Sequence, residues 1–152
     1  MTDRDAENAQ ESYFTAMEFD TFKQSFEADA FHRLLGIPLS ARGPGFARIC
    51  LTTTPETPQG IGGSVHGGVL ASMVDIAMLV AVFGGLRPGQ IPAGTADLGI
   101  TYMRRAHGEQ IHAEARVVKH GRQLAVIEVD ITNAEGELCA KGRVLYAFRP
   151  VA

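Results

Sequence analysis

The sequence predicts an α+β domain in which an antiparallel sheet of five or six strands wraps around one central apolar helix, with an extra helix on the N-terminal side. Three observations predict it. Residues His66 to Phe83, HGGVLASMVDIAMLVAVF, are apolar on nearly every side of a helix and therefore need cover all round. Beyond Pro92 the chain alternates apolar and polar residues with period two over long stretches. The connections between those stretches are tight turns, so neighbouring strands must run antiparallel. The same pattern also allows the helix to lie on an open sheet and be covered by a second subunit.

Residues 1–12, MTDRDAENAQES, are polar and aperiodic and are expected to be flexible, leaving 13–152 as one folded domain. Thr15 and Glu18 form a candidate capping box for a first helix, along which Phe19, Phe22, Phe26 and Ala30 recur at helical spacing. Gly36 and Pro38 stop it. Two short strands are expected around Ile37 to Ala41 and Phe46 to Thr53, joined by the turn Arg42-Gly43-Pro44-Gly45. Prolines 55 and 58 and glycines 60, 62 and 63 make Pro55 to Val65 an irregular loop that delivers the chain to the apolar helix, which ends at Gly84-Gly85. Four long β segments follow: Ala96 to Tyr102, Gln110 to Lys119, Leu124 to Thr132 and Glu137 to Phe148. In the second, Ile111, Ala113, Ala115 and Val117 alternate with Gln110, His112, Glu114 and Arg116.

At 152 residues a single core suffices. A net charge of −3 argues against a nucleic-acid partner, which would select a dominant basic face. Cys50 and Cys139 are too few and too distant to frame a disulfide scaffold, and His32, His107 and His112 lack metal-ligand spacing, so no metal is expected. A reducing, cytoplasmic setting is the expectation, with no secretory signal in the acidic start. The helical run Val69 to Phe83 is roughly 15 residues, short of the ~20 that cross a bilayer, and it carries Asp75, so no membrane partner is expected.

Asp75 is the only Asp, Glu, Lys or Arg between Glu56 and Arg87. A carboxylate buried in so apolar a helix loses several kcal/mol of solvation unless it is paired, so its presence points to chemistry; the alternative is an Asp that caps a neighbouring loop or faces a solvent-filled groove. Upstream, His66-Gly67-Gly68 stands where the loop becomes the helix. The first N–H groups of a helix lack intrahelical partners and carry the positive end of its dipole, and glycines at 67 and 68 leave them bare, so an oxyanion would be stabilised there. His66 and Asp75 lie about 13 Å apart along the axis on opposite faces of one helix. If both act on one bond, a second subunit's antiparallel helix must supply the other half, which predicts a two-fold dimer with two equivalent sites.

The runs VHGGVLASMVDIAM, TADLGITYMRRA and GEQIHAEARVVKHGRQLAVIEVDITNAEGELCAKG, in that order, resemble the hotdog-fold acyl-CoA thioesterases of the phenylacetate-pathway type and their mammalian acyl-CoA relatives, over roughly Pro55 to Phe148. The resemblance implies hydrolysis of an acyl- or aryl-CoA thioester by a homodimer or dimer of dimers, without a metal or other cofactor. It makes Asp75 the general base or nucleophile, Gly67 the N–H donor to the thioester carbonyl, His66 its neighbour, and Thr95 a hydroxyl that positions the attacking water. Gly68 and Gly60 would line the substrate site. The family commonly has an Asn where this chain has Gly60, and Gln59 is the nearest amide that could replace it. Arg104 and Arg105 after the strand, and Lys119, His120 and Arg122 around a hairpin turn, are candidates for the CoA phosphates. Two other readings share the ligand: a hotdog dehydratase or hydratase on acyl thioesters, and a non-catalytic acyl-CoA binding protein.

Overall fold

A computed structural model describes residues 18–150. The expected flexible segment 1–12 and Thr15 of the candidate capping box lie outside the described residues. The elements run α1 (Phe19–Ala28), α2 (Ala30–Leu35), β1 (Leu39–Gly43), β2 (Phe46–Thr52), a 3₁₀ turn (Ile61–Gly63), α3 (Gly67–Phe83), β3 (Gln90–Tyr102), β4 (Gln110–His120), β5 (Leu124–Asn133) and β6 (Leu138–Pro150). The six strands form one sheet in the order β1-β2-β4-β5-β6-β3, antiparallel at every pairing.

The expected first helix is two helices. Asp29 interrupts it with extended backbone, and its carboxylate accepts from the N–H groups of Phe31 and His32 at 2.9 and 3.3 Å, capping α2. α1 lays Phe22 and Phe26 on the core, and α2 closes on Gly36 in the left-handed conformation. The His32 ring packs on Phe26 and its Nδ1 meets the Phe26 carbonyl at 2.8 Å, a packing role.

β5 buries every second residue, from Ala125 through Ile127 and Val129 to Ile131, and the inner faces of β4 and β6 alternate with it in register. These residues and the buried side of α3, with Leu70, Met73, Val74, Ala77, Met78 and Ala81, make the core. Gly142 on β6 sets how closely α3 approaches, since a Cβ there would stand 2.5 Å from Cγ1 of Val74.

The sheet covers only one side of α3. Gly68, Ala71, Ser72, Asp75, Leu79 and Phe83, spaced three or four apart, form a stripe that is exposed or half-buried. The expectation of an all-round cover is therefore corrected for the single chain, and of the two readings of Asp75 the one that faces solvent holds: it sits exposed on the open side. Beside that stripe runs β3, an edge strand six residues longer at its start than the sequence indicated. Pro92 and Gly94 disguise that start, and the pairing absorbs them through a register shift between Pro92 and Gly94.

Candidate active site

The site begins with how β3 turns its side chains. Leu98, Ile100 and Tyr102 lie opposite Val144, Gly142 and Ala140 of β6, on the face toward α3. Strict alternation would send Thr95 to the other face. A bulge intervenes: Asp97 pairs with Leu145 and Thr95 with Tyr146, so Ala96 is the extra residue and Thr95 swings inward. Its Oγ1 donates to Oδ1 of Asp75 at 2.8 Å. Thr95 thus orients the carboxylate on the open face of α3, and the two residues singled out from the sequence are brought together.

The other end of α3 is built by His66, its N-cap, whose Nδ1 accepts from the N–H of Gly68 at 2.9 Å. This corrects the expectation that both glycine amides are bare. The Gly68 N–H is occupied, and a Cβ at Gly68 would come 3.1 Å from that imidazole nitrogen. The N–H of Gly67, the first helical residue, meets no acceptor among the described residues and stands at the positive end of the dipole. Gly67 is held from its other side. The Tyr102 hydroxyl donates to the Gly67 carbonyl at 2.7 Å, and a Cβ at Gly67 would come 3.3 Å from the Tyr102 ring. Sequence reading missed Tyr102, although its parity with Leu98 and Ile100 places it on the helix-facing side at the end of the strand.

A cavity of about 500 Å³ opens at this end, lined by Gly60, Val65, His66, Gly67, Leu70, Tyr102, Arg104 and Arg105 among others. Gly60 lies in its wall, where a Cβ would have its nearest neighbours at 3.5 Å, an ordinary contact. Gln59 instead lines a separate cavity of about 120 Å³ with Thr53, Thr57 and His107. The structure therefore gives no support to Gln59 as the substitute amide.

The basic candidates divide. Arg104 is paired with Glu137 at 3.1 Å. Arg105 has no ion-pair partner among the described residues and lies across Gly62, where its Nη1 would be 2.9 Å from a Cβ. It borders both the 500 Å³ cavity and a neighbouring one of about 540 Å³. Lys119 and Arg122 are exposed on the β4–β5 hairpin, at the opposite end of α3, about 25 Å from the N-terminus along its axis. His120 in that hairpin is a structural group: Nε2 meets Gln90 Oε1 at 2.6 Å and its ring stacks on Phe148 at 5.2 Å. Burial, aided by the Arg87 charge, pushes its pKa down, which disfavours a phosphate-binding cation. Cys50 and Cys139 are free and buried, and burial pushes both thiols up. Among the described residues no helix is long and apolar enough to cross a membrane.

Comparison with known proteins places the chain in a family. A model of the thioesterase superfamily matches residues 62–140. Human acyl-coenzyme A thioesterase 13 is 38% identical over 127 residues, spanning 82% of this chain and 89% of the human one. Zebrafish thioesterase superfamily member 2 superposes with a TM-score of 0.76 at 33% identity, covering 88% of this chain and 100% of that one. The PaaI protein of the Escherichia coli phenylacetic acid degradation operon shares the fold, with a TM-score of 0.70 over 97% of this chain and 99% of its own at 23% identity.

Proposed function

Since the chain belongs to the thioesterase superfamily and has its hotdog fold, we propose that it hydrolyses an acyl- or aryl-CoA thioester at sites shared between two antiparallel copies of α3. One observation carries the reading. A carboxylate oriented by Thr95 and a bare Gly67 N–H lie on the same helix, about 12 Å apart along its axis, too far to flank one carbonyl carbon. A two-fold partner removes the difficulty. Its Asp75 would come to this chain's Gly67, on the open stripe of α3, and the unpaired edge of β3 would be covered in the same step.

In this mechanism the thioester carbonyl oxygen takes the Gly67 N–H, and the helix dipole favours the negative charge it gains. Asp75 from the other subunit removes a proton from water as the water oxygen bonds to the carbonyl carbon. Collapse of the tetrahedral adduct expels the CoA thiolate, a good leaving group, so one base and one amide donor suffice. His66 serves by fixing the first turn of the helix through the Gly68 N–H. Arg105, bordering the cavity and without an ion-pair partner, is the best-placed cation for a CoA phosphate. Arg104 would first have to leave Glu137. In an antiparallel pair, Lys119 and Arg122 of the partner approach the same mouth.

The test is release of free thiol from a panel of short, long and aromatic acyl-CoAs. Hydrolysis liberates it, whereas a dehydratase or hydratase leaves the thioester intact and a binding protein leaves the substrate unchanged.

A further inference from the structure

Tyr146 is 4% exposed, and its hydroxyl, which meets no hydrogen-bond partner among the described residues, is the end of the side chain that reaches solvent. A hydroxyl carried by a fixed, buried ring and left open to solvent is placed to bind an ordered water or a ligand at little cost in ordering. Its position says which. Tyr146 is the direct cross-strand partner of Thr95, both facing α3, and Thr95 holds the Asp75 carboxylate at 2.8 Å. Residues so paired have Cβ atoms about 5 Å apart. The ring is fixed between Phe83, edge-on at 6.3 Å and two helical turns from Asp75 on the same open stripe, and Phe148 at 5.6 Å.

We infer that Tyr146 is a positioning residue for the hydrolysis proposed above, its hydroxyl holding, with Thr95, the water that Asp75 deprotonates. The inference rests on that reading, with Asp75 as general base. Thr95 occupies one oxygen of the carboxylate, leaving Oδ2 to accept from a water that Tyr146 orients. The phenol is suited to donate rather than ionise, because burial and the Asp75 charge push its pKa up to about 12. No atom of Tyr146 is consumed: water adds its oxygen to the carbonyl carbon, its proton goes to Asp75, and the thiolate departs.

The experiment compares wild type with Tyr146→Phe, which keeps the ring and its packing. Steady-state hydrolysis is measured across the acyl-CoA panel and across pH, with the thermal midpoint as a check on folding. The expected result is a kcat about tenfold lower, an unchanged KM, and an acid limb of the kcat profile displaced to higher pH, because the water that donates to the carboxylate is no longer held. A structural role alone would move none of these while the thermal midpoint held. Wild-type kcat and pH profile in Tyr146→Phe would overturn the inference and leave the hydrolase reading standing. A raised KM at constant kcat would likewise overturn it, marking an acyl contact instead. Absence of thiol release by the wild type from every substrate would overturn the hydrolase reading and this inference with it.

Discussion

Two inactive variants should restore one another if the two halves of each site come from different chains. In Asp75→Asn the amide still accepts from Thr95 but cannot take a proton, and loss of a general base costs about 10²–10⁴ in kcat. In Gly67→Val the new side chain starts 3.3 Å from the Tyr102 ring and covers the bare amide. Loss of one oxyanion donor costs about 10²–10³. In a mixed dimer, the unaltered Gly67 of the first variant faces the unaltered Asp75 of the second, so one site is intact and the other carries both lesions. Random reassortment at equal amounts makes about half the dimers mixed, each with one working site of two, so about a quarter of wild-type activity should appear from two nearly inactive parents. The assay is thiol release after the two proteins are mixed, unfolded together and refolded, with circular dichroism and gel filtration confirming that each parent folds and dimerises. Activity no greater than the mean of the parents, with mixed dimers present, would refute the shared-site geometry.

Gly60→Asn should raise kcat, by up to about 100-fold, if the carbonyl sits in this cavity as proposed, because the wall admits a Cβ at 3.5 Å and the amide would add a donor there; an unchanged or lower rate would show that this position does not face the reacting bond. Gly142→Ala should destabilise by about 1–3 kcal/mol in denaturant unfolding, since its Cβ would overlap Val74. Adding Val74→Ala should cost less on the Gly142→Ala background than on wild type, and simple additivity would contradict the close approach. His120 gives a pH effect of definite sign. Its folded pKa lies below its ordinary value of 6.5, so the unfolded chain binds the proton first and stability falls as pH drops through that value. The thermal midpoint of wild type should therefore decline more steeply than that of His120→Gln between about pH 7 and pH 5, and parallel curves would refute it.

The central helix was legible because its apolar run is bounded by glycine pairs, and β4, β5 and β6 because a one-sided sheet writes period two into its sequence. The fused first helix was misread because Phe19, Phe22, Phe26 and Ala30 keep helical spacing straight across Asp29. That residue's role as a cap shows only once the backbone is seen to bend there. Asp75 and Thr95 could each be named, but their contact could not, because it depends on one unpaired residue in β3 that alternation conceals. Whether Asp75 is buried or faces solvent was open in the sequence for a different reason. An all-apolar helix signals total cover without saying whose surface provides it, and here the chain's own sheet supplies one side only.

The unpaired Ala96 divides β3 into two stretches under separate constraints. From Asp97 onward the inward positions answer to packing, with Leu98 and Ile100 against the core. At Thr95 the facing follows the pairing with Tyr146, and the hydroxyl reaches Asp75 without any change to the packing half. Removing Ala96 would close the ladder and leave Thr95 opposite Tyr146 on the same face, so the direction of the hydroxyl is fixed by its partner on β6, and a strand shorter by that one residue keeps it.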